Sequence, residues 1–301
     1  MVASTDSRRP WRGSGRLLIP LSDSGHKCGH NKWFRTSRDC PNSGTWRGFA
    51  GFLAAWAVVL AGWLLTARGA ESAAAEPPRP PPVDQFIVIP LRVHVLTGDD
   101  EWVDCKLSEA DVRRIIGKVN GVWRRAGVHF GVESIHREPA ANVERFRRTR
   151  DQIGGTPLAL YPRLIPEDTR RFGGLHVYYV HKLPVNGVYL GADYVFVQET
   201  ATLREVEGGI DEPVPRVTSH ELGHALGLPH RQDRTNLMAS GTTGTGLNLA
   251  EMETARGKAT KIAGAITVER AREMATGSKD DEATQRLRRW LAEVEDAAAR
   301  K

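Results

Sequence analysis

Apolar positions fall in blocks of different period along this chain, and each period predicts a different element. Residues 49–65 are apolar or glycine throughout, with Arg47 on the N-terminal side. A run of that length lies between a signal-peptide core and a full membrane span. Residues 85–96 are rich in valine, isoleucine and leucine and predict a strand. Over 109–126 the stripe Ile115, Ile116, Val119, Val122, Trp123 has helical period. Ser108 is placed to cap that helix, and Asp111 puts an acid in its first turn. Residues 128–135, 175–183 and 194–197 predict further strands. Between them, 137–172 is polar, rich in Arg and Pro, and without a clear period, and is expected to be a surface insertion. Near the C-terminus Leu287, Trp290, Leu291 and Val294 recur at i, i+3, i+4 and i+7, one face of an amphipathic helix.

These blocks divide the chain. Residues 1–47 have no apolar period and are expected to be a disordered basic leader. Residues 48–67 are expected to be a signal peptide or a membrane anchor. Residues 71–84 contain Pro77, Pro78, Pro80, Pro81 and Pro82, an extended spacer. A folded body is expected over 85–265, followed by a helical extension over 266–301. The basic flank before residue 49 predicts that the N-terminus stays in the cytoplasm and the body is exported, to the periplasm or the extracellular space, secreted or anchored. Ala73, Ala74 and Ala75 offer small residues for cleavage, so both a cleaved signal and an uncleaved anchor stand.

Charge changes the picture in one respect. The chain of 301 residues carries a formal charge of +6. Nine Lys/Arg against three Asp/Glu lie in residues 1–47, and the remainder holds 33 of each sign. The basic balance therefore belongs to the leader, and a nucleic-acid-binding face on the body is not supported. Of the cysteines, Cys28 and Cys40 precede the apolar run, and Cys105 is alone in the body, where no intrachain disulfide framework can form. His26, Cys28, His30 and Cys40 have no standard zinc spacing. Cys105 reads as a lone, partly buried thiol, with a latency thiol capping a metal as the alternative. No acidic loop of calcium-binding spacing stands out.

The chemistry concentrates in residues 214–230. His220 and His224 are four apart, which on a helix puts both imidazoles on one face, one turn apart. Glu221 points about 100° away around the helix, where it can reach a metal-bound water. Gly227 lets the chain leave the helix, and His230 returns as a third nitrogen ligand. Three protein ligands leave one tetrahedral position open, the arrangement of a catalytic zinc.

His220-Glu221-x-x-His224-x-x-Gly227-x-x-His230 resembles the metzincin zinc-peptidase signature. The family also carries a methionine turn beneath the zinc, which Asn236-Leu237-Met238-Ala239 resembles, with Met238 as the floor, at a spacing similar to that of the matrixins. Arg231 follows the third histidine and assigns no subfamily, and no tyrosine follows Met238. The resemblance implies an α+β fold: a zincin-like catalytic domain with a twisted mixed sheet, an active-site helix and a mostly helical C-terminal part. It implies that Val188, Tyr189 and Leu190 form an edge strand binding an extended peptide. It also implies one catalytic Zn²⁺ held by His220, His224 and His230, Glu221 as general base, and a metalloendopeptidase acting on extracytoplasmic proteins or peptides. Residues 241–246 are expected to be a flexible loop that forms part of a specificity wall. Two other readings stand beside this one. One is a catalytically silent, zinc-containing surface binding module. The other is a gluzincin-type peptidase in which Glu251 or Glu253 replaces His230 as ligand.

Overall fold

The computed structural model describes residues 79–277 and 281–299. The expectations for 1–47, 48–67 and 71–78 lie outside these residues. Among the described residues, no helix is long and apolar enough to cross a membrane.

Strand β1 (Ile87–Thr97) is the axis of the sheet, and all but Arg92 and Thr97 of it is buried. A parallel strand covered on both faces reads as a continuous apolar run, which is why this segment was legible. Helix α1 (Glu109–Trp123) crosses from β1 to β2 (Val128–Pro139), which pairs with β1 in parallel. Ser108 caps the helix as expected, and Asp111 completes a capping box: the Ser108 hydroxyl accepts the Asp111 N–H, and the Asp111 carboxylate accepts the Ser108 N–H. A 3-10 turn over Arg124–Ala126 ends the helical stretch at Gly127, whose φ is 63°. Strands β3 (Leu175–Val180), β4 (Gly187–Tyr189) and β5 (Tyr194–Gln198) complete the main order β2-β1-β3-β5-β4. β1, β2, β3 and β5 pair in parallel, and β4 lies antiparallel to β5 at the edge. A short β6 (Ile266–Thr267) pairs antiparallel with the start of β1. The architecture is a mixed α/β one with a mixed sheet.

Alternation along β1 assigns the faces. Ile87, Ile89, Leu91, Val93 and Val95 join one core with α1, with α3 (Pro213–Ala225) and with α4 (Leu249–Ala259). On the opposite side, Phe86 and Val88 meet α5 (Val268–Gly277) and α6 (Glu282–Ala299). Trp290 of α6 lies flat on Gly131, where a Cβ would come within 2.7 Å of the indole, and its Nε1 donates to the Val132 carbonyl at 3.1 Å.

Two expectations change here. Residues 137–172 are not a mere surface insertion. β2 runs on to Pro139, helix α2 occupies Val143–Ile153, and 3-10 segments cover Leu158–Leu164 and Glu167–Arg171. Phe146, Leu160, Tyr161, Leu164 and Ile165 form a second core with Leu96, Tyr178 and Phe196. Helix α2 exposes every face but the one holding Phe146, so its arginines mask the period. The edge strand is Gly187–Tyr189, one residue earlier than expected at both ends. The Leu190 N–H donates to the Tyr194 carbonyl in the turn that follows.

Candidate metal centre and active-site cleft

Helix α3 begins with Pro213 in its first turn, where the missing N–H costs nothing. From Val214 to Gly223 every residue of it is buried. It ends as the Gly227 N–H donates to the His224 carbonyl and the Leu228 N–H to the Gly223 carbonyl, with Gly227 at φ 82°. That left-handed residue reverses the chain so that His230 comes back over the helix end.

The three histidines converge. One nitrogen from each of His220, His224 and His230 lies within 4.8 Å of the others, and His224 Nε2 is 3.1 Å from His230 Nε2. Tetrahedral zinc with bonds of about 2.0–2.1 Å needs ligand nitrogens roughly 3.3 Å apart, a spacing the His224–His230 pair already approaches. The back of the site sets the tautomers. His220 Nδ1 donates to the Leu237 carbonyl at 2.8 Å, and His224 Nδ1 to the Leu228 carbonyl at 2.8 Å. With their protons on Nδ1, both rings turn a bare Nε2 to the centre, the form a metal requires. Burial pushes His220 down to about 3 and lowers His224 as well, so both are neutral at pH 7. The donor set fits zinc.

Glu221 lines the same cleft and is only 6% exposed. Burial raises its carboxyl to about 7, against the Tyr189 N–H and the Arg216 charge, which lower it. A carboxyl poised there can take up and release a proton near neutrality. Gly187 lets the edge strand come this close: a Cβ there would stand 2.8 Å from Glu221 Cγ and 2.6 Å from Val217 Cγ1. In β4 the Asn186 carbonyl and the Leu190 N–H bond towards β5. By antiparallel alternation, Gly187 and Tyr189 turn their backbone groups outward along the cleft. One of these, the Tyr189 N–H, is the donor held by Glu221.

Met238 is fully buried beneath the helix: a Cβ on Gly223, between the two helical histidines, would come 2.6 Å from its Sδ. The turn around it is closed by the Ala239 N–H to the Asn236 carbonyl at 3.1 Å and the Met238 N–H to Asn236 Oδ1 at 2.7 Å. Glu251 is not beside the three histidines. Its carboxylate is buried and accepts from Arg231 Nε at 2.6 Å, Asn236 Nδ2 at 2.8 Å and the Asn248 N–H at 2.9 Å. It braces the turn, and neither Glu251 nor Glu253 belongs to the group able to share an ion. Cys105 is also spoken for: it is fully buried, its thiol is pushed up by burial, and its Sγ donates to Glu199.

The loop over 241–246 is pinned, contrary to expectation. Thr242 and Thr243 are buried, the Thr242 hydroxyl donates to the Arg234 carbonyl, and Thr243 exchanges backbone bonds with Arg204 and Ile210. Ser240 and Gly241 do line the cleft. Sequence reasoning missed Arg216, which stands four residues before His220 and so on the same helix face. It is 2% exposed, and its guanidinium reaches the Gly244 and Ala239 carbonyls at 3.1 and 2.5 Å. Its spacing from His220 was the available signal.

No family model matches this chain, and no curated protein matches it. Solved structures do. Archaemetzincin from Methanopyrus kandleri is 15% identical, with 70% of this chain and 98% of that one covered at a TM-score of 0.29. For metalloproteinase-II from Bacteroides fragilis the identity is 13%, the coverage 61% and 55%, and the TM-score 0.31. For a zinc-dependent peptidase from Methanocorpusculum labreanum the identity is 15%, the coverage 56% and 99%, and the TM-score 0.28. Likenesses this distant carry no weight for the function, which rests on the side chains above.

Proposed function

We propose that this chain is a zinc-dependent metalloendopeptidase of the metzincin type, with a zincin-like catalytic domain. The observation that carries this is the convergence of three imidazoles, two of them locked in the metal-binding tautomer, beside a buried carboxyl and an open sheet edge. His220, His224 and His230 would hold zinc, which would supply the Lewis acidity for carbonyl polarisation and water activation. Glu221 would take a proton from the attacking water and deliver it to the leaving amine. Gly187 and the Tyr189 carbonyl offer outward backbone groups to an extended peptide, which sets the scissile carbonyl over the cleft. Met238 and the Leu237 carbonyl hold the floor and the ring of His220 in place.

The substrates we assign are extracytoplasmic proteins or peptides, since the apolar run at 49–65 with its basic flank directs the body outward. A reporter fused after Lys301 should be active only in its exported form. For the chemistry, the purified protein is incubated with a peptide library, with and without chelator. Glu221→Gln should keep stoichiometric zinc and lose about 10²–10⁴-fold in rate. Unchanged cleavage by that variant sinks the assignment of the base.

A further inference from the structure

Two hollows meet at Glu221 and His230, and they differ in one charged group. One, of about 570 Å³, is lined by Leu158, Val188, Leu228 and Pro229 and by no lysine or arginine. The other, of about 350 Å³, is lined by Val185, Leu203 and Val217, by Ser240 and Gly241, and by Arg216.

Arg216 is incompletely satisfied. Its Nε donates to the Gly244 carbonyl at 3.1 Å, and its Nη2 to the Ala239 carbonyl at 2.5 Å with the Asn236 carbonyl farther off at 3.5 Å. The only neighbour of Nη1 within hydrogen-bond range, among the described residues, is His220 Nδ1 at 3.2 Å. That nitrogen already gives its proton to the Leu237 carbonyl at 2.8 Å. A nitrogen that donates to a carbonyl has no in-plane lone pair left to accept from a guanidinium. Both Nη1 hydrogens are therefore without an acceptor, on a side chain 2% exposed. No carboxylate of the described residues forms an ion pair with Arg216. A buried cation with donors that lack an acceptor is costly until something supplies one.

We propose that Arg216 is a specificity-determining residue: the hollow it lines takes a substrate carboxylate, on a residue flanking the cleaved bond, which accepts from Nη1. This rests on the peptidase reading above and adds the substrate class. The carboxylate has two possible sources, an acidic side chain or a free C-terminus one residue beyond the bond. A charge-assisted bond to a buried donor favours the anion over its neutral isostere by about tenfold or more.

The test uses the full-length protein loaded with zinc. Matched peptides carry Glu or Gln at each position flanking the cleaved bond, and each is made as free acid and as amide. We expect kcat/KM to be at least about tenfold higher for Glu than for Gln at one flanking position, or for acid over amide when the chain ends there. The two arms separate the sources. Binding of the same peptides, labelled, to Glu221→Gln is read by fluorescence anisotropy and needs no turnover. There too the anionic form should bind more tightly. If the wild type cleaves nothing, the peptidase reading fails, and the anisotropy still decides the carboxylate preference. Equal kcat/KM and equal binding for Glu and Gln, and for acid and amide, overturn the proposal. In Arg216→Gln that folds and holds zinc, the preference should vanish; persistence of the preference in that variant also overturns it. The Glu/Gln comparison on the wild type stands even where Arg216→Gln does not fold.

Discussion

Gly223 and Met238 are in van der Waals register across the floor of the metal site: a methyl group on Gly223 would come 2.6 Å from the Met238 sulfur. Helix α3 can lie on the turn around Met238 only because this position, between His220 and His224, has no side chain. Gly223→Ala raises helix propensity, yet the overlap must be relieved by displacing the Met238 side chain within a fully buried floor. We expect a net loss of about 1–3 kcal/mol in a urea titration and weaker zinc retention on dialysis. A more stable variant with full zinc would show that the floor is not packed this way.

His230 and Glu251 part the two ligand readings. His230→Ala removes one of three converging nitrogens, and zinc measured by mass spectrometry should fall well below one per chain. Glu251→Ala should keep the metal in its folded fraction and lose about 1–3 kcal/mol of stability, because Asn236 and Arg231 lose a buried acceptor. The reverse pattern would make Glu251 a ligand.

Glu221 ties stability to pH in the metal-stripped protein. Burial lifts its carboxyl from 4.5 to about 7, so between those values the folded form holds a proton that the unfolded form releases. Stability from this group therefore falls as pH rises through that window. Glu221→Gln carries no such proton. Its gain over the wild type, in chelator, should be near zero at pH 4.5 and grow to about 3 kcal/mol by pH 8. Urea titrations at both pH values measure it, and a gain that does not change with pH contradicts the burial of this carboxyl.

Trp290 anchors the C-terminal helix to the sheet through Gly131 and the Val132 carbonyl. Trp290→Ala should cost about 3–5 kcal/mol in denaturant while leaving zinc stoichiometry intact. Little change would mean that α6 is not an integral layer of the body.

Strand β1, helix α1 with its Ser108 cap, and the histidine helix α3 were legible in the sequence because each carries its cause locally: a continuous apolar run, a 3.6-residue stripe, a four-residue spacing. The same local logic named His220, Glu221, His224 and His230 as one group. Tertiary structure alone decided what those residues face. Helix α2 hides its single buried Phe146 among arginines, so its role in a second core could not be read from a period. Gly187 gives no sign of itself in sequence, yet its missing side chain is what brings the edge strand onto Glu221. Arg216 meets carbonyls 20 to 28 residues downstream, and its unsatisfied Nη1 exists only because the Leu237 carbonyl takes the His220 proton first. Sequence spacing decides which side chains share a helix face. Which acceptors remain for them, and which hollow they line, is set by segments far along the chain that the fold alone brings together.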